Sequence, residues 1–454
     1  MTTPGRGCFA FFVRIVCAAA LSVPALPQAG THTIPLAGSP PMGWNSWDCY
    51  GTSVTEAQVK ANADYMSKNL LSHGWQYVVV DIQWSEPNAR AGGYNPEPHL
   101  DMDKYGRLIP AVNRFPSSAD GKGFKPLADY IHSLGLKFGI HIMRGIPRQA
   151  VAGNTPVEGA AVHATDVANK YSVCRWNNDM YGLEMSRPGA QAYYDSIIRL
   201  YAGWGVDFIK ADDILRPIHR DEIAAIHSAI LKTGRSIVLS LSPGPARAED
   251  IEFLRQNANM WRVSDDFWDK WRLLHENFTL VGIWGGVGRP GAWPDGDMLP
   301  LGRIGIVAER GTDRRSRFTP VEQRTVMSLW SIAQSPLIFG GDLPSNDEST
   351  TSLIANDEVL AVNQKGSNGR EFFSSGEQRV WVADSPDSGA RYLGVFNLGE
   401  RDQDIRIQWP ELGLPQACVL RDLWDRKDAG EIRGGHTFRV APHASGLYKL
   451  TPVR

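Results

Sequence analysis

Short apolar runs alternate with stretches of helical spacing from about residue 40 to about residue 340. The run "QYVVVDIQW" is continuous and β-branched, which is typical of a strand buried on both faces. "GFKPLADYIHSLGL" instead repeats its apolar residues at helical spacing. On these criteria the predicted strands are 76–84, 137–142, 206–213, 236–242, 259–266 and 336–341, and the predicted helices are 123–136, 190–205, 220–234, 249–258 and 321–335.

This alternation predicts parallel strands joined by crossover helices, an α/β fold. Residues 37–360 hold about eight such units, the size of a (β/α)8 TIM barrel, and we assign 30–362 to this catalytic barrel. A doubly wound open sheet is the alternative. It predicts a glycine-rich phosphate loop after the first strand, and "VVVDIQW" is followed by a Pro/Asn-rich loop instead.

The pattern changes after "AVNQKG" (361–366). Short apolar runs such as "QRVWVADS", "ARYLGVFNLG" and "HTFRVAPHASGLYKL" follow, with turn residues between them. This spacing predicts a C-terminal antiparallel β-sandwich over 366–454.

The beginning of the chain has the features of an export signal. Arg6 precedes the apolar runs "CFAFFV" and "IVCAAALSV", and small residues follow near Ala29. We therefore predict a signal peptide over 1–29 and a secreted or periplasmic protein. Beyond it no run is long enough to span a bilayer, and the remaining cysteines, Cys49, Cys174 and Cys418, allow at most one disulfide.

Composition narrows the function classes. The 454 residues are 43% hydrophobic and 21% charged with a net charge of −2, which is typical of a globular protein. Such a balance gives no indication of nucleic acid or an anionic membrane as partner. The 15 tryptophans are numerous, and sugars are one ligand class that stacks on such rings. The oligomeric state is left open.

Polar side chains lie at the ends of successive predicted strands: Asp81, His141, Asp212 and Asp266. One acidic residue after a strand is often only the N-cap of the next helix. Several at equivalent positions suggest a site, because barrel enzymes place their chemistry at the carboxyl ends of the strands. Two facing carboxylates suit glycoside cleavage. Lys210 lies on the same strand face as Asp212 and would keep that carboxylate ionised.

Several motifs resemble glycoside hydrolase family 27, the melibiase-type α-galactosidase family. They are "PPMGWNSWDCYG" (40–51), "FIKADD" (208–213), "WRVSDDFWDKW" (261–271), "WPDGDMLPLG" (293–302), "LWSIAQSPLIFGGDL" (329–343) and "LRDLWDRKD" (420–428). They cover nearly the whole mature chain in the family's order. The resemblance implies a retaining (β/α)8 hydrolase with a C-terminal β-sandwich and with no metal or other cofactor in catalysis.

The resemblance also implies roles for individual residues. Asp212 corresponds to the family nucleophile and Asp266 to its acid/base. Asp213 and Asp265 are neighbours that a shift of one position would select instead. The implied sugar ligands are Trp47, which resembles the family's stacking tryptophan, Asp81, His141, Lys210, Ser242, Arg262 and Asp297.

The chain departs from the family in its sugar contacts. The family holds the sugar 4-OH and 6-OH with two adjacent aspartates, but here Ile82 follows Asp81. Gln83, His141 or Arg144 would have to supply the rest of that clamp. Ser242 replaces the glutamate of the α-galactosidases, which resembles the α-N-acetylgalactosaminidase branch. Thr52 and Gln83 replace two disulfide cysteines, and residues 150–182 form an insertion-like segment.

The sequence thus predicts a retaining exo-acting glycosidase that cleaves terminal α-linked sugars of an oligo- or polysaccharide, with α-galactosidase as the first activity. The alternatives are an isomaltodextranase-like α-glucan hydrolase, an α-N-acetylgalactosaminidase or a β-L-arabinopyranosidase. Two other classes stay open: a non-catalytic carbohydrate-binding protein and a metal-dependent barrel hydrolase. For a metal site only His141 is suitably placed.

Overall fold

The structure is a computed structural model and describes Met1, residues 36–307 and residues 311–453. Apart from Met1, the predicted signal peptide over 1–29 lies outside the described residues. Within the described part of the chain, no helix combines the length and the apolar character needed to cross a bilayer.

Eight parallel strands form one sheet in which each strand pairs with its neighbours along the chain and the eighth pairs with the first. A parallel bridge between Leu299, just past the seventh strand, and Phe339 of the eighth connects the two edges. This confirms the (β/α)8 barrel. The barrel strands are, in chain order, Met42–Asn45, Tyr77–Val80, Lys137–Met143, Phe208–Asp212, Val238–Leu241, Met260–Arg262, Trp293–Asp295 and Leu337–Phe339.

Helices connect the barrel strands, and their ends follow from local sequence. Thr319 begins the helix Pro320–Ala333 with a capping box to Glu322. Gly234, in the left-handed region at φ 68°, ends the helix Arg220–Thr233 as predicted. The other α-helices are Trp47–Tyr50, Glu56–Asn69, Lys125–Ser133, Arg148–Ala152, Ala164–Val167, Ala190–Gly203, Ile251–Asn257, Trp271–Gly282, Glu348–Ile354 and Asp357–Lys365.

The C-terminal residues form an antiparallel sandwich of a six-stranded and a two-stranded sheet. Its own apolar core includes Val380, Ile405 and Phe438. The sandwich packs against the helix Pro320–Ala333, where Trp424 Nε1 donates to Ser328 Oγ at 2.9 Å. The strands are Ser367–Ser375, Gln378–Asp384, Arg391–Asn397, Gln403–Gln408, Ala417–Asp422, Lys427–Arg433, Gly435–Val440 and Ser445–Pro452.

The insertion-like segment folds beside the barrel. The strands Ile146–Pro147, Ala168–Val173 and Met180–Leu183 make a small antiparallel sheet after the third barrel strand. A two-stranded ribbon, Arg303–Ile304 with Arg314–Arg315, follows the seventh barrel strand. The three cysteines of the described residues are buried free thiols, so the one disulfide that the sequence allowed is not formed.

Candidate active site

A cavity of about 670 Å³ lies at the carboxyl ends of the barrel strands. Its position follows from the parallel sheet, because every strand delivers the residues that follow it to the same end of the barrel. The predicted site residues that line it are Trp47, Asp81, Lys210, Asp212, Ser242, Arg262, Asp266 and Asp297. His141, the remaining predicted sugar ligand, is 2% exposed and does not line the cavity.

Lys210 and Asp81 form a buried ion pair at the closed end of the cavity. Lys210 Nζ donates to Asp81 Oδ2 at 2.8 Å, and Asn45 Nδ2 donates to the same oxygen at 2.7 Å. Burial lowers the pKa of Lys210, but the charges of Asp81 and Asp212 outweigh it and raise that pKa overall. The ammonium group is therefore held charged between two carboxylates.

Asp212 ends the fourth barrel strand and is held in its ionised form. Burial by itself raises the pKa of Asp212. The hydrogen bond from His141 and the charge of Lys210 lower this pKa by more than burial raises it, so it falls well below its ordinary value. His141 Nε2 lies 3.2 Å from Asp212 Oδ2. The sequence assigned this role to Lys210 alone, whereas the structure adds His141, which binds the carboxylate rather than facing the cavity.

We expect the His141→Phe protein to lose activity at a higher pH on the acid side than the unmodified protein does. Removing the donor raises the pKa of Asp212, and a carboxylate with a raised pKa becomes protonated earlier as the pH falls. The acid limb of the kcat/KM profile should move upward by roughly one pH unit.

The control for this profile is His132→Phe, because His132 Nε2 lies 2.7 Å from Asp207 Oδ2 away from the cavity. That protein should keep the original acid limb. An unmoved limb in the His141→Phe protein would contradict the role given to His141.

Arg262 joins the carboxylates on the other side of the cavity. Its Nη1 lies 2.7 Å from Asp297 Oδ1 and its Nη2 lies 3.4 Å from Asp266 Oδ1. Burial raises the pKa of Asp297, Arg262 opposes this shift, and the carboxyls of Asp266 and Asp295 add to it. The Asp266 side chain is 44% exposed, against 12% for the side chain of Asp212.

The two neighbouring aspartates, Asp213 and Asp265, are bound by other arginines. Asp213 Oδ2 pairs with Arg144 Nη2 at 3.0 Å and does not line the cavity, as strand alternation predicts. Asp265 lies at the rim, half exposed, where Arg216 Nη1 binds its Oδ2 at 2.9 Å. Asp212 is thus the member of its pair that lines the cavity, whereas in the other pair both carboxylates line it and Asp266, next to Arg262, is the less exposed at 44% against 62%.

Ile82 lines the cavity beside Asp81 and belongs to an apolar cluster with Met143, Cys174 and Met180. None of the side chains expected to complete the clamp faces the cavity. Gln83 Nε2 donates to both carboxylate oxygens of Asp179, and Arg144 pairs with Asp213 and Glu222, while His141 binds Asp212. Of the residues that the structure describes, Gln83, His141 and Arg144 therefore do not complete the clamp at Asp81.

The lining residues that the sequence analysis missed include Asp48, Tyr94 and Trp176. Asp48 is 3% exposed, its Oδ2 has no hydrogen-bond partner among the described residues, and burial raises its pKa well above the ordinary value. Its only sequence signal is its place directly after Trp47. Tyr94 lies in a long loop and Trp176 in the insertion, where no motif marks them.

A (β/α)8 barrel with two carboxylates in a polar cavity at its carboxyl end has the architecture of a barrel glycoside hydrolase. Comparison with known families agrees. Residues 178–365 match the family described as alpha galactosidase A, and residues 375–450 match the alpha galactosidase C-terminal beta sandwich domain. The chain belongs to glycoside hydrolase family 27, the melibiase-type α-galactosidases, and is a glycosidase.

Relatives and solved structures show how the chain compares within this family. An alpha-galactosidase of Coffea arabica is 31% identical, over 91% of this chain and 94% of its own. The β-L-arabinopyranosidase of Geobacillus stearothermophilus is 53% identical with a TM-score of 0.90, over 92% of this chain and 97% of its own. A putative alpha-N-acetylgalactosaminidase of Bacillus halodurans is 47% identical with a TM-score of 0.83, over 91% of this chain and 98% of its own.

Proposed function

We propose that Asp212 and Asp266 are the catalytic pair of a retaining exo-glycosidase. The main support for this pair is that both carboxylates line one cavity, with Asp212 buried and held ionised and Asp266 near the opening. Asp212 attacks the anomeric carbon while Asp266 gives its proton to the departing oxygen, which forms a glycosyl ester and releases the aglycone. Water then attacks the same carbon, Asp266 takes a proton from it, and Asp212 is released.

The terminal sugar in this proposal has the galactose configuration. Curated relatives such as the coffee enzyme are named alpha-galactosidases. Asp81 and Lys210, held together at the closed end, offer an acceptor and a donor to neighbouring ring hydroxyls. We therefore propose α-galactosidase activity for this chain.

The β-L-arabinopyranoside is a second candidate, favoured by Ile82. This pentose has the ring configuration of an α-D-galactoside but lacks the hydroxymethyl group at C5. A 6-OH held against the apolar cluster of Ile82 would lose its hydrogen bonds to water without replacement. The pentose has no such hydroxyl, and the 53% identity to an enzyme named for it supports the same choice.

A panel of p-nitrophenyl glycosides tests the proposal: α-D-galactoside, β-L-arabinopyranoside, α-N-acetylgalactosaminide and α-D-glucoside, with dextran alongside. We expect turnover of the first two, with the higher kcat/KM on the galactoside; a higher kcat/KM on the arabinopyranoside would support the second candidate instead. Preference for the glucoside or dextran would support the α-glucan alternative. Absence of turnover on every substrate, with binding retained, would leave a non-catalytic carbohydrate-binding protein.

Ile82→Asp should raise the ratio of kcat/KM on the galactoside to kcat/KM on the arabinopyranoside by roughly 10-fold or more, because a charge-assisted hydrogen bond to the 6-OH contributes about 1.5–3 kcal/mol. Ile82→Asn supplies a neutral hydrogen-bond partner, and it serves as the test if the buried charge prevents the Ile82→Asp protein from folding. Ile82→Val is the matched control and should leave the ratio unchanged. An unchanged ratio in the folded Asp and Asn proteins would show that Ile82 does not face C5 of the sugar.

A further inference from the structure

Three aromatic rings form a continuous wall along the cavity. Trp47 and Tyr94 are stacked with ring centroids 6.2 Å apart and planes 17° from parallel. Tyr94 and Trp176 follow, with centroids 5.5 Å apart and an interplanar angle of 41°. All three line the cavity that holds Asp212 and Asp266. Only Trp47 has a role in the proposed reaction, so the outer two rings lack one.

Trp176 is positioned by its neighbours rather than by its own burial. Cys174, two residues before it, and Asn177, directly after it, are 5% and 3% exposed, and Asp179 is bound by Gln83. Trp176 itself is 38% exposed. A large ring close to buried residues and open to solvent beside a cavity is available as a contact surface.

The cavity has room for more than one sugar ring. Its volume of about 670 Å³ falls within the roughly 300–1,000 Å³ of cavities that accept drug-sized ligands of several rings. Lys270, Arg272 and Glu276, which follow the sixth barrel strand, add polar groups to the lining of the same cavity. A cavity lined by both aromatic rings and polar groups suits a sugar ring, whose C–H bonds can lie against an aromatic face while its hydroxyls form hydrogen bonds.

We propose that Tyr94 and Trp176 form an outer subsite that binds the sugar unit next to the terminal one. This inference rests on the proposed function. The terminal sugar of an exo-acting enzyme occupies the closed end of the pocket, at Asp81 and Lys210. The rest of the substrate must leave through the opening, where the exposed Trp176 lies. The preferred substrate is accordingly a di- or oligosaccharide rather than a glycoside with a small aglycone.

Binding tests this subsite in an Asp212→Asn background, where turnover is prevented. The probes are the disaccharide α-D-galactosyl-(1→6)-D-glucose and free galactose, measured by calorimetry. Adding Trp176→Ala should weaken the disaccharide roughly 3- to 10-fold, the scale of a lost aromatic contact, and leave galactose unchanged. Adding Tyr171→Ala is the matched control and should change neither, because Tyr171 is 97% exposed in the same small sheet and does not line the cavity.

Equal weakening of both ligands would overturn the proposal, since Trp176 would then contact the terminal sugar. Unchanged binding of both would overturn it as well. The kinetic counterpart is a selective loss of kcat/KM on the disaccharide, with α-D-galactosyl fluoride unaffected by Trp176→Ala. If the disaccharide loses affinity as expected while the unmodified protein hydrolyses nothing, the outer subsite stands and the proposed catalysis falls.

Discussion

The Asp212→Asn protein should lose turnover on every glycoside, activated aryl glycosides included, by on the order of 10⁴-fold or more. An amide is a poor nucleophile for the anomeric carbon, so the glycosyl ester does not form. A good leaving group cannot compensate, because the missing bond is the one to the enzyme. The measurement is kcat on p-nitrophenyl and alkyl glycosides, with calorimetric binding of the free sugar as evidence of an intact pocket.

The neighbouring aspartates provide the controls for this experiment. Asp265→Asn removes a carboxylate bound to Arg216 at the rim and should retain most activity. Asp213→Asn disturbs the ion pair with Arg144 and should lower stability more than turnover in the folded protein. If the Asp213→Asn protein loses turnover while the Asp212→Asn protein retains it, the assignment along this strand is wrong by one residue.

The Asp266→Asn protein should show a loss that depends on the leaving group. Alkyl glycosides and disaccharides need a proton on the departing oxygen, and their kcat/KM should fall by about 10²- to 10⁴-fold. p-Nitrophenolate leaves with little protonation, so kcat/KM on the aryl glycoside should fall far less. The comparison of the two substrate classes is the measurement, and an equal loss on both would contradict the role of general acid.

Azide provides a second readout for Asp266. In the Asp266→Asn protein the second step lacks its base, so the glycosyl ester should accumulate on the aryl substrate. Azide attacks without base assistance, and added azide should restore kcat and yield a glycosyl azide with the anomeric configuration of the substrate. Asp265→Asn should show no rescue, because its base is intact. An azide product of inverted configuration would contradict retention.

Much of the site could be read from the chain because it lies on regular elements. Buried parallel strands are continuous apolar runs, so the carboxyl end of each run is visible in the sequence, and a barrel brings those ends together. That reasoning brought Asp81, His141, Asp212 and Asp266 together; Asp81, Asp212 and Asp266 line one cavity, and His141 lies beside Asp212 without lining it. Side-chain alternation also separated Asp212 from Asp213. The first and seventh strands, Met42–Asn45 and Trp293–Asp295, were not located, because "MGWN" and "WPD" contain no continuous apolar run.

Tertiary structure decided the features that depend on contacts between distant segments. The position of His141 on a strand was visible, but its hydrogen bond to Asp212 depends on how two neighbouring strands are aligned. The surroundings of Ile82 were hidden, because Cys174 and Met180 reach it from an insertion without a family pattern. Tyr94 was equally hidden in an irregular loop. The sequence by itself determined which residues end the strands, since periodicity is local, and only the packed chain decided which loops meet above them, since loop contacts have no period.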